Sequence, residues 1–339
     1  MVKFRLRYAM TLRMRACIHA IRDYFPAKVV TNEDMSKFVE TSDEWIRDRT
    51  GIRERRMSEV HETPAFMGTA AAKKLFEDRK IDPMSIDLIL CATITADYHF
   101  PASACLIQSA LGCNRAFAYD INAACSGYLY GLETARAFIE SGLAKRVLLV
   151  AAEKMSSILD YQDRATCIIF GDGGSATLIE AAQDEESYII DGAYRSDGSG
   201  REFLFMPSGG SLNPPSEETV KRREHFVKQE GKSVFKRAVQ EMAAICEEVL
   251  KRNNLSAEDL DLFVPHQANL RIIESCADRL GLPLEKVAIN IDRYANTTSA
   301  TIPTALVDAQ RAGKLRKGQL VLLASFGAGF TWGATLLRI

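Results

Sequence analysis

At 339 residues the chain is long enough for about two units at roughly 150 residues each, which argues against a single small binding module. With 47% hydrophobic and 26% charged residues, and 43 basic against 44 acidic side chains, its make-up is that of an ordinary globular protein without the basic footprint of nucleic-acid binding. No apolar run approaches the roughly 20 residues a bilayer-spanning helix needs, since stretches such as Val147 to Ala152 are only strand length.

The chain opens on Lys3, Arg5, Arg7, Arg13 and Arg15 with no acid before Cys17. Lacking Ser and a small-residue cleavage site, this stretch is expected to be a frayed start or the product of an early start codon rather than a transit peptide. Ala71 to Leu90 then reads as helix, turn and strand. A strand-like segment from Ala116 to Ile121 leads to Cys125, and a helix follows with Leu129, Leu132, Ala135 and Ile139 on one stripe, stopping near Gly142. Val147 to Ala151 is a buried strand, and Phe170 opens a Gly-rich turn and a further strand. The polar stretch from Ser196 to Arg223, with Pro207, Pro214 and Pro215, reads as loop and linker. Ile245 to Val264 repeats helix, turn and strand; a helix pattern carries Ile302, Leu306 and Ala309; Leu320 to Ala324 is the last continuous apolar strand before the turn at Phe326.

These elements repeat. Ala71 to Leu90 aligns without gaps on Ile245 to Val264 at an offset of 174, and the same offset carries Lys145 to Val150 onto Gln319 to Ala324. The turns at Phe170 and Phe326 match at a shorter offset, which predicts an insertion near residues 153 to 169. Two similar α/β halves with buried strands predict stacked layers about a pseudo-twofold axis, with chemistry where the halves meet.

Eight cysteines, at 17, 91, 105, 113, 125, 167, 246 and 276, are scattered without a C-x-x-C pair, which fits reduced thiols in a cytoplasm. Seven have bland readings as small hydrophobes. Cys125 stands between a strand and a helix N-terminus, behind Ala123-Ala124 and before Ser126-Gly127. That position favours thiolate by about 0.3 to 2 kcal/mol, too little without a helper, and close packing of small residues explains it equally well. His19, His61, His99 and His225 lack a constrained context. His266 comes directly off the strand Leu262 to Val264 through Pro265, at a carboxyl end where open α/β sheets bind ligands, and a structural role fits as well. Asn296, in the polar run before a helix, has the bland reading of a cap or turn residue.

Taken together, AACSGY around Cys125, VPHQANLRII around His266, YANTTSATIP around Asn296, the closing FGAGFTWGATLLR, TSDEWIRDRTGIRER from Thr41 and FGDG from Phe170 resemble the β-ketoacyl-acyl-carrier-protein synthase III family. The resemblance runs from roughly Ala16 to the C-terminus. It implies the thiolase-like fold, an α/β architecture of duplicated βαβαβ halves in a five-layer αβαβα arrangement. One half would span 16–190 with the nucleophilic cysteine and the other 225–339 with the histidine and asparagine, joined by a connecting loop region at 191–224.

The implied reaction is a decarboxylating Claisen condensation of an acyl-CoA primer with malonyl-acyl carrier protein, giving a 3-oxoacyl-acyl carrier protein and initiating type II fatty-acid synthesis. Cys125 would be the nucleophile, with the backbone N–H groups of Cys125 and Ala328 as oxyanion donors. His266 and Asn296 would donate to the malonyl enolate, with His266 also helping to deprotonate the thiol. An amide does not shuttle protons at neutral pH, so Asn296 is expected to act electrostatically. Trp45 and Arg164 correspond to the pair that sandwiches the CoA adenine, with Arg49 on the phosphate side. Lys236 and Arg271 match positions that receive the acidic carrier protein, and Phe100 matches the residue that crosses a dimer interface to close the neighbour's acyl pocket. No metal or cofactor is implied, because acyl-CoA is a substrate. The implied state is a cytoplasmic homodimer without nucleic-acid or membrane partners.

Asn296, where elongating synthases have a second histidine, and Ser325-Phe326-Gly327, where a biosynthetic thiolase has another cysteine, disfavour those relatives. Three features depart from the family pattern: Ala20-Ile21-Arg22-Asp23 replaces a Gly-rich segment, Ala295 replaces the common Gly, and the 199–223 loop is idiosyncratic. They bear on primer choice more than on mechanism. A condensing enzyme of secondary metabolism with another primer or acceptor is the alternative, and a non-catalytic acyl-binding partner a further one, against which the intact Cys125, His266 and Asn296 argue.

Overall fold

The computed structural model describes residues 14–339; most of the basic opening stretch expected to be frayed lies outside them. Two sheets form the frame. The first has five strands in the order Ala16–Tyr24, Asp172–Ala181, Arg146–Lys154, Leu88–Ala92, Phe117–Ile121. The second has four, in the order Leu262–Pro265, Leu320–Gly327, Thr331–Arg338, Tyr188–Ser196.

The offset of 174 reappears as hydrogen-bond register. Leu88 pairs with Val147 in one parallel ladder and Leu262 with Val321 in the other, each pair displaced by that offset. The apolar runs that signalled these strands are buried throughout, as strands covered on both faces must be. Between the outgoing and returning strands, the first half inserts residues 155–171, whereas the second turns back directly between Gly327 and Thr331. The predicted insertion is therefore present, and it carries Arg164 and Phe170.

One boundary differs from expectation. Tyr188–Ser196 pairs antiparallel with Thr331–Arg338 as an edge strand of the second sheet, so the boundary expected at 190/191 cuts a strand, and the 191–224 region opens inside an element. Its half-exposed pattern, with Asp191 and Gly192 at the centre, lacks the continuous apolar run that marked the other strands.

The layers follow from which face each helix buries. Gly127–Glu140 and Thr301–Arg311 lie between the sheets, sharing one apolar core with strands of both. Thr301–Arg311 buries nearly every side chain down to Ala309, as a helix enclosed on all sides does. In its partner helix a Cβ on Gly131 would lie 2.5 Å from a Leu149 methyl, so glycine permits the close helix–sheet contact. Pro64–Arg79 and Ser103–Leu111 cover the outer face of the first sheet, and Gly231–Arg252 and Leu270–Leu280 that of the second. The result is the five-layer αβαβα arrangement, with both central helices starting at the seam between the halves.

Candidate active site

The first sheet's edge strand ends at Ile121, and a 3₁₀ turn, Ala124–Ser126, delivers Cys125 to the start of Gly127–Glu140. Ala124 adopts a left-handed φ of 45°, unusual for a residue with a Cβ and costing roughly 1 to 3 kcal/mol. At the offset of 174 the pattern recurs: Thr298 has φ 53°, and Ser299 stands where the first half has Cys125. The turn that carries Cys125 is stitched to the second half by Ser126 Oγ donating to Thr331 O, Thr331 Oγ1 donating to Ala123 O and Ser325 Oγ donating to Ser126 Oγ. A Cβ on Gly327 would fall 2.8 Å from Cys125 N and 2.9 Å from its Cβ, so only glycine lets the C-terminal turn lie against the cysteine.

His266 follows the strand Leu262–Pro265, its N–H donating to Ala324 O at 2.8 Å. Its Nδ1 lies 2.6 Å from Thr301 Oγ1. Asn296 is held by two backbone bonds to the inserted segment, Asn296 N to Ile169 O and Gly171 N to Asn296 O. Its Oδ1 accepts the Thr298 N–H at 2.8 Å, so the turn role expected for an asparagine is present, and the donating Nδ2 is the atom that remains for a ligand. Ala295, before it, has φ 55° and ψ −156°, a region populated almost entirely by glycine.

Cys125, His266 and Asn296 line a single cavity of about 180 Å³ together with Phe235, Phe326 and Gly327. A second, mostly apolar cavity of about 460 Å³ meets the first at Cys125; Ile94, Met155, Ile158, Phe205 and Val227 form its apolar wall, and Ala328 lines it beside the cysteine. The sulfur therefore stands where a small cavity holding the His266 and Asn296 side chains meets a larger apolar chamber.

The electrostatics differ from what a helix N-terminus alone suggests. Burial, reinforced by the charge of Glu153, pushes the Cys125 thiol up to about 12, outweighing the pull of its own backbone N–H. Burial holds the His266 imidazole down to about 3, so it is a neutral base in this cavity. The pair is a thiol and a neutral imidazole rather than a preformed ion pair.

Sequence reasoning missed Glu153. Fully buried behind the site, it accepts from Ile94 N at 3.1 Å, Thr95 Oγ1 at 2.6 Å and Ser299 Oγ at 2.9 Å. Burial raises its pKa to about 7 against the lowering effect of these donors. An acid closing the apolar run Val147 to Ala152 was the available signal.

The other predicted residues lie outside the two cavities. Trp45 is on the helix Asp43–Thr50, capped by Ser42 Oγ, with the Arg49 and Arg164 guanidinium carbons 4.5 and 4.6 Å from its ring centroid. The expected adenine slot between Trp45 and Arg164 is thus closed by direct stacking, and Arg164 Nη1 also donates to Glu40 O at 2.9 Å. Arg271 is exposed, with Nη2 on Asp48 O at 2.5 Å, and Lys236 is exposed on the helix Gly231–Arg252. Phe100 is 85% exposed and lines neither cavity; it lies three residues before Ser103, whose N–H donates to Asp120 Oδ2 on the edge strand Phe117–Ile121 at 2.8 Å. Cys105 departs from the buried-thiol reading: it is exposed, whereas the other seven cysteines are buried and all eight are free.

Comparison with known proteins matches residues 119–198 to the family model of 3-oxoacyl-[acyl-carrier-protein] synthase III and residues 250–339 to that of its C-terminal part. The β-ketoacyl-[acyl-carrier-protein] synthase III of Chlorobaculum tepidum is 48% identical, covering 96% of this chain and 99% of that protein. That of Solibacter usitatus is 49% identical, covering 96% and 98%. The crystal structure of β-ketoacyl-[acyl carrier protein] synthase III from Thermus thermophilus superposes with a TM-score of 0.88 at 41% identity, covering 95% of this chain and 99% of that one.

Proposed function

We propose, from the premise that this chain belongs to the β-ketoacyl-[acyl-carrier-protein] synthase III family, that Cys125, His266 and Asn296 carry out its decarboxylating condensation. The enzyme condenses an acyl-CoA primer with malonyl-acyl carrier protein to give a 3-oxoacyl-acyl carrier protein, the initiating step of type II fatty-acid synthesis. The observation that carries the residue roles is the cavity shared by these three side chains, with an apolar chamber opening at the same sulfur.

In the first half-reaction the Cys125 sulfur attacks the acyl-CoA thioester carbonyl as its proton passes to His266 Nε2. The backbone N–H groups of Cys125 and Ala328 hold the tetrahedral oxyanion, each such donor contributing about 3 kcal/mol at a preorganised site. The CoA sulfur leaves with the proton, and the acyl chain lies in the apolar chamber. In the second, malonyl-carrier protein loses CO₂, and its enolate oxygen accepts from His266 Nε2–H and Asn296 Nδ2–H. The enolate carbon attacks the acyl-cysteine carbonyl, the Cys125 sulfur departs as thiolate and takes a proton from solvent, and the 3-oxoacyl thioester leaves on the carrier. A neutral imidazole suits both steps, because it can accept a proton in one and donate a hydrogen bond in the other.

Acyl-CoA entry at Trp45, Arg49 and Arg164 and carrier docking at Lys236 and Arg271 complete the reading. Opening the adenine slot requires Arg164 to leave the Trp45 face. A homodimer is supported by the outer edge of Phe117–Ile121, which no other strand pairs among the described residues, and by the exposed Tyr98 and Phe100, which lead into the helix start tied to that strand through Ser103 N–H on Asp120 Oδ2, since a bare edge strand is a template for pairing. Eight free thiols favour a reducing compartment, for which we propose the cytoplasm; among the described residues no helix is long and apolar enough to cross a membrane.

Intact-mass measurement after mixing with a panel of acyl-CoAs tests the assignment. One acyl mass is expected on Cys125, none in Cys125→Ala, and normal acylation without condensation in Asn296→Ala. Acylation of Cys125→Ala at another thiol overturns the nucleophile.

A further inference from the structure

His266 needs a partner on Nδ1 that fixes both the ring plane and the tautomer, because the two nitrogens of a neutral imidazole carry one proton between them. That partner is Thr301 Oγ1 at 2.6 Å, at the start of the central helix Thr301–Arg311. The threonine is 1% and the histidine 2% exposed, so the contact is closed to competing water. Thr301 has a single hydroxyl proton, and its Oγ1 also lies 3.0 Å from Thr298 O, which can only accept. With that proton on Thr298 O, the hydroxyl offers a lone pair to Nδ1. The imidazole must then carry its proton on Nδ1 and present an unprotonated Nε2.

We infer that Thr301 is a positioning residue that sets the tautomer of His266, holding Nδ1–H in the resting enzyme so that Nε2 is free to take the Cys125 proton. A hydroxyl suits this role better than the carboxylate of a hydrolase triad. Between the half-reactions the ring must change tautomer, Nε2 taking a proton from solvent through the cavity and Nδ1 giving one back; the hydroxyl allows this by turning to donate to Nδ1, and it adds no negative charge beside a thiol that Glu153 already disfavours as thiolate. The same packing that buries Thr301 fixes Asn296 nearby, because Thr298 spends its N–H on Asn296 Oδ1 and its carbonyl on Thr301. One turn of the second half thereby orients both enolate donors. The inference rests on the condensing-enzyme reading above.

The test compares Thr301→Val, which keeps the shape but can neither donate nor accept, with Thr301→Ser, which keeps the hydroxyl. Histidine ring nitrogen-15 NMR on the substrate-free full chain reads the tautomer directly, and stopped acylation and condensation assays read its consequence. Expected are an Nδ1–H tautomer in the wild type and a changed or mixed tautomer in T301V. The T301V acylation rate should fall about 10- to 100-fold, the size of effect seen when a metal-binding histidine loses the partner on its other ring nitrogen, with little change in KM for acyl-CoA and recovery in T301S. An Nε2–H tautomer in the resting wild type, or a T301V protein matching the wild type in tautomer and acylation, overturns the inference. The tautomer is read without substrate, so this result is distinct from failure of the underlying reading, which would be a wild-type protein that takes no acyl group on Cys125.

Discussion

The burial of His266 makes a prediction about stability that is independent of catalysis. In the folded protein the imidazole titrates near 3, whereas in the unfolded chain it titrates near its ordinary value of about 6.5. Above about pH 6.5 both states hold it neutral and its contribution to folding is fully present. As pH falls below that value the unfolded chain binds a proton that the folded chain refuses, so stability declines until the pH reaches the folded value. The slope is about 1.4 kcal/mol per pH unit for one proton. Lowering the pH to about 5 should therefore remove about 2 kcal/mol from this group alone. Urea unfolding of the wild type and of His266→Asn, at about pH 7 and about pH 5 and at one protein concentration, isolates the term, because the remaining titratable groups contribute equally to both proteins. The wild type should lose about 2 kcal/mol more than the variant. Equal losses would show that the ring is not held as a shielded neutral base, and the reading of His266 as proton acceptor for Cys125 would fall with it.

Three other outcomes follow from the site's geometry. Gly327→Ala sets a methyl within 3 Å of the Cys125 backbone N, so acylation measured by intact mass should fall steeply while circular dichroism stays that of a folded protein; unchanged acylation would mean the turn yields freely. Ala295→Gly relieves a backbone conformation costing about 1 to 3 kcal/mol, against about 1 kcal/mol of glycine chain entropy and about 0.8 kcal/mol for the buried methyl. Thermal unfolding should accordingly show a change between about 0.8 kcal/mol of destabilisation and about 1.2 kcal/mol of stabilisation, and a loss well beyond about 1 kcal/mol would refute the strain. Glu153→Gln removes the charge that opposes the Cys125 thiolate, so iodoacetamide alkylation of Cys125 should shift to lower pH; a shift the other way would contradict the sign of that coupling.

Much of this molecule was legible in one dimension because its strands and helices bury local patterns. Continuous apolar runs at Leu88, Val147, Leu262 and Leu320, recurring at one offset, specified two equivalent halves down to their ladder register, since burial on both faces of a strand leaves no polar position to blur the signal. Cys125, His266 and Asn296 were nameable because each sits at an element's end inside a distinctive local string. What the chain order alone could not decide is whatever depends on residues distant in sequence. Tyr188–Ser196 is a strand because Thr331–Arg338 offers it an edge. The Cys125 thiol is held protonated because two halves close over it and bring Glu153 near, an effect larger than the local helix N-terminus that points the other way. Trp45 is stacked by Arg164 from 119 residues away, and His266 gains its hydroxyl partner from a helix that begins 35 residues later. Periodicity and spacing are local properties; desolvation and hydrogen-bond geometry belong to the folded seam between the halves.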